Sequence, residues 1–456
     1  IFDSGPSLYS GLSSRPSSNP LSFVLDAVGE EVPCVTYDTW GCCLPEGDFP
    51  APIGAEAFAE ILERLRGKAA ADQWRRFQAV MKPLGEAALA LPAVAGRYDW
   101  GAILTLGRYL PSMLPHLGAS LQLLGDFSPI VEQEIDDPFL RHWLDLLCFL
   151  LSGLPAKGTS AAEMAFMFSQ WYRPEVVLDY PQGGSGAIVA ALLRGVERHG
   201  GALRLGARVE AILTERDRAS GVRLQGGEVI NARQAVISNA SIWDTLKLVP
   251  DISPAFRQTR QQTQPCPSFM HLHLGIDGTD LPKDLHCHYI FVDDWEKGVQ
   301  APQNVVVVSI PSVLDPSLAP PGKHVIHAYT PATEPYELWE GMQRNRPAYQ
   351  QQKEARAGIL WQALARMIPD IRDRCETTLI GTPLTHERFL NMHRGSYGPE
   401  IPANEGMFPT AKTPLAGLLL CGASTFPGIG VPAVAASGIV TANTLVPVQQ
   451  HLELLQ

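Results

Sequence analysis

LLLCGASTFPGIGVPAVAASGIVTAN, residues 418–443, is the segment from which the architecture of this chain can be inferred. Its apolar start predicts a buried strand, and the glycines that follow let the backbone approach a ligand because they carry no Cβ. Val431–Pro432 opens a predicted helix, since proline fits the first helical turn. The N-terminus of that helix offers free N–H groups and the positive end of a dipole to an anionic group.

Spacing alone leaves two interpretations of this glycine turn open. It is either a ligand site lined by backbone or a tight strand-to-helix connection that holds no ligand. Competing motifs are missing from the sequence: GGSGA at 183–187 lacks the shape of a nucleophile elbow, and no G-x-x-x-x-G-K-[ST] loop is present. We therefore set aside hydrolase and nucleoside triphosphatase functions.

The composition is that of a globular, acidic protein. The chain has 456 residues, of which 45% are hydrophobic and 18% charged, and this predicts two or three lobes with buried cores. Lys and Arg total 36 against 47 Asp and Glu, which gives a net charge of -11. The excess of acidic groups argues against nucleic acid as a partner, because phosphate binding needs a basic face.

Cysteine usage and hydropathy bear on the compartment. The 8 cysteines form no C-x-x-C pair, which predicts reduced thiols in an intracellular or organellar compartment. No apolar run reaches the ~18–20 residues that span a bilayer. Residues 100–170 are nevertheless strongly apolar and helical in pattern, with breaks at proline and glycine. A buried helical core is favoured there over a membrane-touching face that lines a pocket for an apolar ligand.

The rest of the chain alternates between helical and strand patterns. Residues 180–241 predict a β-α-β unit, with a helix capped by Ser185 and a strand over 202–212. Residues 250–380 predict an antiparallel sheet covered by one long helix. The histidines of this region, His271 and His273 on one strand and His286 and His288 on another, lack further ligands at diagnostic spacing. Ordinary strand histidines are favoured, so no metal site is predicted.

Several segments resemble the phytoene desaturase and carotenoid isomerase superfamily. CGASTFPGIGVPAVAASG (421–438), FDSGPSLYSG (2–11), and YPQGGSGAIVAALLRGVERHGG (180–201) followed by LGARVEAI (205–212) resemble its FAD-binding segments. The likeness is greatest to the carotenoid isomerase branch of plants and cyanobacteria and runs nearly end to end. Its other matching runs are PSFMHLHLGID, HYIFVDDWE, SIPSVLDPSLAPPGKHVIHAYT and GTPLTHERFLNMHRGSYGP.

The resemblance implies an α/β fold, in which a discontinuous Rossmann-like FAD-binding domain joins an α+β substrate domain with an apolar helical lobe. It implies cis-to-trans isomerisation of poly-cis lycopene in carotenoid biosynthesis, with reduced FAD and no net redox change. It also implies a carotenoid or other polyene substrate in a hydrophobic tunnel. Peripheral association with a chloroplast or cyanobacterial thylakoid or envelope membrane follows too. A carotene offers no ionisable group, so the chemistry can be the cofactor's.

Residue by residue, the resemblance implies a FAD site. The ribityl and pyrophosphate end would meet Gly422, Ala423 and Ser424. The isoalloxazine would face Gly428, Ile429, Gly430, Val431 and Pro432, with Ser4, Gly5 and Pro6 on its other side. Val209 would meet the adenine through its backbone. Relatives often carry Asp where Ala423 stands here, and the alanine weakens one polar contact. No side chain is named as catalytic; His386, Arg388 and His393 are candidate cavity-wall groups, and surface ion pairing is equally open for them.

The sequence departs from the family at its start. The family's FAD domain opens with a glycine-rich βαβ unit of ~30 residues or more, whereas no G-x-G-x-x-G occurs from Ile1 onward. Either that unit precedes Ile1 in the native protein, or this is a flavin-less structural or pigment-binding subunit of a photosynthetic membrane complex. A carotene desaturase or retinol saturase-like oxidoreductase is a third interpretation.

Five segments follow from this likeness. They are a FAD-domain remnant (1–30), a helical membrane-facing substrate lobe (31–179), the FAD-domain return (180–245), an antiparallel-sheet substrate domain (246–380) and the C-terminal FAD segment (381–456).

Overall fold

The computed structural model describes residues 1–3 and 8–455. The α-helices of this part of the chain are α1 (Pro20–Ala27), α2 (Ala55–Arg66), α3 (Lys68–Leu89), α4 (Ala102–Gly107), α5 (Leu110–Met113), α6 (Leu117–Gln122), α7 (Ser128–Glu134), α8 (Pro138–Ser152), α9 (Ala161–Trp171), α10 (Ser185–Arg198), α11 (Ile242–Leu248), α12 (Pro254–Gln261), α13 (Pro347–Met367), α14 (Pro383–Leu390), α15 (Val431–Leu445) and α16 (Val448–Leu454).

The strands of the same residues are β1 (Tyr9–Ser10), β2 (Cys34–Tyr37), β3 (Thr39–Leu44), β4 (Gly47–Pro52), β5 (Leu178–Pro181), β6 (Val209–Glu215), β7 (Arg218–Leu224), β8 (Val229–Asn231), β9 (Val236–Ser238), β10 (Gln264–Pro265), β11 (Ser268–Asp277), β12 (His288–Val292), β13 (Val305–Ser309), β14 (Lys323–Glu334), β15 (Cys375–Gly381), β16 (Pro399–Glu400) and β17 (Leu418–Leu420).

A seven-stranded sheet, in the order β15-β11-β14-β13-β12-β3-β4, forms the centre of the molecule. Its neighbours pair antiparallel, except that β3 runs parallel to β12 with Cys42 beside Ile290. The prediction of an antiparallel sheet over 250–380 is therefore correct for the five strands of that region, but it does not describe the complete seven-stranded sheet. The hairpin of β3 and β4 extends the sheet from far upstream and makes it mixed.

The two faces of this sheet bury different partners, because successive strand residues point to opposite sides. Met270, Leu272 and Leu274 of β11 share one core with Leu360 and Leu364 of α13, which is the predicted covering helix. On the other face, aromatic and aliphatic side chains pack against the helical layer of α2, α3, α8 and α9; they include Trp40, Ile290 and Val307. The sheet is thus covered by helices on both faces.

Aromatic contacts hold the helical layer together. Phe58 of α2 stacks on Trp143 of α8 with ring centroids 4.7 Å apart, and Trp74 of α3 donates a hydrogen bond of 3.0 Å to the Ala55 carbonyl. Burying one such side chain contributes about 1.5–3 kcal/mol. The helical spacing of Phe58, Ile61, Leu62 and Leu65 predicts one apolar face for α2. The first three are buried and Leu65 is partly buried, so the prediction is confirmed for three of the four residues.

Residues 100–124 differ from the rest of the helical layer. Their large apolar side chains lie in solvent, among them Ile103 (78% exposed), Leu121 (72%) and Leu124 (74%). The prediction of a buried core over 100–170 is correct for α8 and α9 and wrong for this stretch, because α4 to α6 are too short to cover one another. Among the described residues, no helix is both long and apolar enough to cross a bilayer.

Smaller sheets complete the described part of the fold. β1, β5 and β2 pair antiparallel, β6, β7 and β8 form a meander, and β9 lies parallel to β17. The strand predicted over 202–212 begins only at Val209. The cap of α10 is Gly184, at φ +78°, and not the predicted Ser185, which is the first residue of the helix.

Candidate functional site

The glycine turn lies where two parallel strands end side by side. Ser238 of β9 is the register partner of Leu420 of β17, and the Cys421 amide donates a 3.0 Å hydrogen bond to the Ser238 carbonyl. Asn239 and Gly422 therefore leave the sheet at the same edge. The carboxyl edge of parallel strands is where α/β proteins bind ligands.

Gly422 is required at the first position of the turn. Its φ is +94°, and a Cβ built there would lie 2.5 Å from Nδ2 of Asn239. The Gly422 amide donates to Oγ of Ser437 at 3.0 Å, and Thr425 Oγ1 donates to the Gly422 carbonyl at 2.9 Å. These buried bonds tie the turn to the middle of α15 and satisfy polar groups that water does not reach.

The end of the turn is open. Gly430 has a φ of +100° and precedes α15, and a Cβ built on it would meet no atom within 4 Å. No side chain in the described part of the chain caps this helix. The first-turn N–H groups of a fifteen-residue helix are therefore available to an anionic or carbonyl group. This uncapped end beside a glycine cradle fits the polar edge of a flavin.

The residues predicted for FAD are only partly brought together. One connection, from the end of β17 to the first turn of α15, carries eight of them: Gly422, Ala423, Ser424, Gly428, Ile429, Gly430, Val431 and Pro432. Ser424 points into the protein, since its Oγ accepts a 3.1 Å hydrogen bond from the Ile242 amide. A Cβ built on Gly428, at φ +134°, would lie 2.9 Å from the Phe408 ring.

The remaining predicted residues lie elsewhere. Val209 opens β6 and pairs with Leu224 in the meander, a different sheet from the one that carries the turn. That meander contacts the C-terminal segment where the Ala219 amide donates to the Ala416 carbonyl at 2.8 Å. Ser4, Gly5 and Pro6 lie outside the described residues.

Two carboxylates position the N-terminal segment, and sequence reasoning missed both. Asp3 accepts hydrogen bonds from the Ser185 amide at 2.8 Å and from the Tyr180 hydroxyl at 2.7 Å. Asp179 of β5 accepts from the Leu12 amide at 2.7 Å. Burial raises the pKa of Tyr180, and its bond to Asp3 acts in the same direction. The acidic residues in the FDSG and LDY runs were the available signal.

A cluster of histidines lies on the large sheet, on the face turned away from α13. His271 and His273 alternate along β11, and His327 of β14 lies opposite His273. Nδ1 of His271 is 2.9 Å from Nε2 of His327, and the rings of His273 and His327 stack at 4.3 Å. Phe2 meets the His273 ring edge-on at 5.5 Å. Sequence spacing missed His327, because only the strand register brings it to this cluster.

Burial determines the charge of this cluster. Desolvation lowers the pKa of His271 and of His327 well below the usual range, and the neighbouring imidazoles add to the effect. Burial also lowers the pKa of His273. The three rings are therefore neutral near pH 7.

The three candidate cavity-wall groups separate. His386 joins the cluster, with its ring 5.3 Å from that of His271 and its Nδ1 2.8 Å from the Gly395 carbonyl. Arg388 is exposed, with its guanidinium over the Phe389 ring. His393 stacks on Trp243 at 5.0 Å. Only His386 lies beside the histidines of the sheet.

Comparison with known proteins gives a consistent group of matches. Residues 58–446 match the model of the family described as flavin containing amine oxidoreductase. Prolycopene isomerase 1, chloroplastic, of an Oncidium hybrid cultivar is 35% identical over 75% of this chain and 56% of its own length. Prolycopene isomerase, chloroplastic, of Arabidopsis thaliana is 31% identical over 97% of this chain and 74% of its own length. The chain thus spans little more than half of the first of these relatives.

More distant matches extend the group. A neurosporene-forming phytoene desaturase of Rhodobacter capsulatus is 28% identical over 68% of this chain and 61% of its own length. Among solved structures, a putrescine oxidase bound to putrescine aligns with a TM-score of 0.59 at 13% identity, over 98% of this chain and 87% of its own. An oxidoreductase of Methanosarcina mazei aligns with a TM-score of 0.55 at 19% identity, over 95% of this chain and 85% of its own. At these identities the structures bear on the fold alone.

Proposed function

The chain belongs to the flavin-containing amine oxidoreductase family and shares its mixed α/β fold, and from this premise we propose that it is a flavin-dependent carotenoid isomerase. Its reaction is the cis-to-trans isomerisation of poly-cis lycopene without net redox change. The observation that carries the proposal is the glycine turn at the carboxyl edge of β9 and β17, with the uncapped start of α15. The prolycopene isomerases among its relatives support the substrate class.

We propose that FAD occupies this edge. The ribityl and pyrophosphate end would meet Gly422, Ala423 and the backbone of Ser424, whose side chain points inward, and the ring would face Gly428 to Pro432. Ser4, Gly5 and Pro6 would line the other side of the ring, and Val209 would meet the adenine. The start of α15 would hold the anionic edge of the ring through its N–H groups. When bound in reduced form, the cofactor supplies the electron-rich centre that the isomerisation requires.

We propose the same five segments as domains. The FAD-binding domain is discontinuous and Rossmann-like, built from 1–30, 180–245 and 381–456. The pairing of β9 with β17 across two of these segments supports it. Residues 246–380 would form the substrate domain. Residues 31–179 would form the apolar helical lobe, except that their hairpin β3–β4 joins the sheet of the substrate domain.

The substrate needs a surface without demanding polar partners, because a carotene is a hydrocarbon. The sheet face beside the N-terminal segment carries Phe269, Tyr329 and neutral histidines, and Phe269 meets the Tyr397 ring edge-on at 5.5 Å. These side chains would orient the polyene by shape and exclude water. They would leave the isomerisation chemistry to the cofactor.

We propose that the protein takes its substrate from a membrane surface. Trp100, Ile103, Leu117, Leu121 and Leu124 are each more than half exposed in one short stretch, and such a patch commonly marks an interaction surface. The chloroplastic relatives support a chloroplast location, and the exposed patch supports a peripheral site on a thylakoid or envelope membrane there.

The proposal is tested on the full-length native protein. We expect flavin absorption bands after purification and all-trans lycopene after incubation with reduced FAD and poly-cis lycopene. A product with more or fewer double bonds would instead indicate a desaturase or saturase. A protein that binds no flavin at all would point to a structural or pigment-binding subunit of a photosynthetic complex.

A further inference from the structure

We propose that His271, His273 and His327 bind a divalent transition-metal ion, Zn²⁺ being the ion tested, through one ring nitrogen each. The site lies on the large sheet and involves no residue of the glycine turn. The same histidines lie on the sheet face proposed for the polyene, so the test below measures metal binding, whose outcome does not depend on isomerase activity.

The geometry brings three ring nitrogens together. One nitrogen from each imidazole lies within 4.8 Å of the other two. Tetrahedral zinc with bonds of about 2.1 Å separates its nitrogen ligands by about 3.4 Å, so the widest pair would have to close by about 1.4 Å. Because the His273 and His327 rings are stacked, one of them would also have to turn to aim its lone pair at the ion. His271 Nδ1 and His327 Nε2 are already at 2.9 Å, a spacing that one bridging ion widens only slightly.

The strand register fixes this arrangement. Side chains two apart on β11 share a face, and the residue of β14 opposite His273 is His327. Three ligands on two paired central strands are held more rigidly than ligands on loops, and rigid positioning is what a metal site needs.

Unpaired ring nitrogens are the second observation. Nε2 of His271, Nδ1 of His273 and Nδ1 of His327 are buried, and none has a hydrogen-bond partner among the described residues. A neutral imidazole carries one N–H and one lone pair, so a buried unpaired nitrogen is costly. The unpaired Nδ1 of His273 would coordinate directly, whereas His271 and His327 would coordinate through the two nitrogens that now face each other and would carry their protons on the unpaired ones.

The surroundings suit a borderline ion. His386 stacks on His271 at 5.3 Å, and Tyr329 stacks on His327 at 4.8 Å, so both ligand rings are braced. Imidazole nitrogens without carboxylates favour zinc, copper, nickel and iron over magnesium or calcium. Three protein ligands leave a fourth position for water or a small anion, as in sites that bind exchangeable groups.

The test measures metal binding and not activity. The full-length protein, with its cofactor as purified, is stripped with a chelator, titrated calorimetrically with ZnCl₂ and assayed for zinc content after dialysis. We expect one zinc per chain. His273→Gln and His327→Gln should each weaken binding by more than about 10-fold, the smallest loss expected when even an outer-shell partner is removed. His199→Gln, at an exposed histidine after α10, should bind as the wild type does.

Two results would overturn the site. One is a wild-type protein that retains no zinc after dialysis; the other is a folded His327→Gln chain that binds zinc as tightly as the wild type. Circular dichroism checks folding. If neither variant folds, zinc-edge X-ray absorption on the wild type decides: a shell of imidazole nitrogens supports the site, and a shell of oxygens alone rejects it.

Discussion

Gly422 illustrates how a single residue holds the glycine turn. Replacing it by Ala places a Cβ against Asn239 at a φ of +94°, so Gly422→Ala should lower the free energy of unfolding by about 1–3 kcal/mol. Urea denaturation measures the change. Gly438→Ala is the matched control, since that helical glycine of α15 has no atom within 4 Å of an added Cβ, and it should be neutral or stabilising. Equal losses in the two variants would contradict this account of the turn.

Glu163 of α9 provides a pH-dependent prediction. Burial raises the pKa of its carboxyl to about 7, whereas an unfolded chain ionises it near the ordinary value of 4.5. Both states hold the proton below pH 4.5, and above pH 7 the folded state carries the cost of a buried charge. Stability is therefore lost as the pH rises from 4.5 to 7, by up to about 3 kcal/mol.

Glu163→Gln removes that cost. The variant should match the wild type at pH 4 and unfold at higher urea than the wild type at pH 8. Glu63→Gln, at an exposed position of α2, controls for the loss of one negative charge. A Glu163→Gln chain that is no more stable than the wild type at pH 8 would reject the prediction.

Local chemistry made part of the site predictable. The glycines and proline of the turn could be identified from the sequence because φ and the missing Cβ are properties of single residues. His327 could not, since its contact with His273 depends on a strand register set about fifty residues away. The inward orientation of Ser424 was equally hidden, because its partner Ile242 belongs to another segment.

At the scale of elements, Asp3 links the N-terminal segment to the start of α10. Asp3→Ala would leave the Ser185 amide and the Tyr180 hydroxyl without their acceptor, so we expect a loss of about 1–3 kcal/mol in the free energy of unfolding. Asp26→Ala is the control, because the pair of Asp26 with Arg15 is exposed and such pairs contribute about 0–1 kcal/mol. Indistinguishable urea midpoints would show that Asp3 anchors nothing.

The exposed stretch from α4 to α6 provides the second element-scale prediction. Ile103→Glu with Leu121→Glu should weaken binding to lipid vesicles by more than about 10-fold, because each inserted side chain contributes about 1.5–3 kcal/mol. Thermal unfolding should be unchanged, since both side chains are already in solvent. Leu205→Glu, at an apolar residue that is 84% exposed outside this stretch, should leave co-sedimentation unchanged. Equal effects of Leu205→Glu and the double variant would argue against a membrane face at α4 to α6.

Periodicity predicted some elements and missed others for physical reasons. The apolar stripe of α2 and the long helix α13 follow from a 3.6-residue repeat, which is local. Composition could not separate buried α8 from exposed α6, because both are rich in leucine. The parallel pairing of β3 with β12 is long-range, and no turn signal near either strand predicts it.

At the scale of the whole molecule, the large mixed sheet separates two kinds of surface. One face is a plain apolar core with α13. The other packs on the helical layer and also carries aromatic rings and neutral histidines beside the N-terminal segment. The glycine turn and this second face belong to segments far apart in the chain. The proposed division into cofactor and substrate parts would account for a sequence that is rich in strand and helix signals and lacks an acid–base motif.

The central claim is that the flavin is needed but not consumed. The number of product molecules formed per flavin tests this claim most directly. Full-length protein, a limiting amount of reduced FAD and excess poly-cis lycopene are incubated without oxygen, and the carotenoids are separated by chromatography. The account predicts many molecules of all-trans lycopene per flavin, with the flavin still reduced and the number of double bonds unchanged. Unconverted substrate, or one flavin oxidised for each molecule converted, would contradict it.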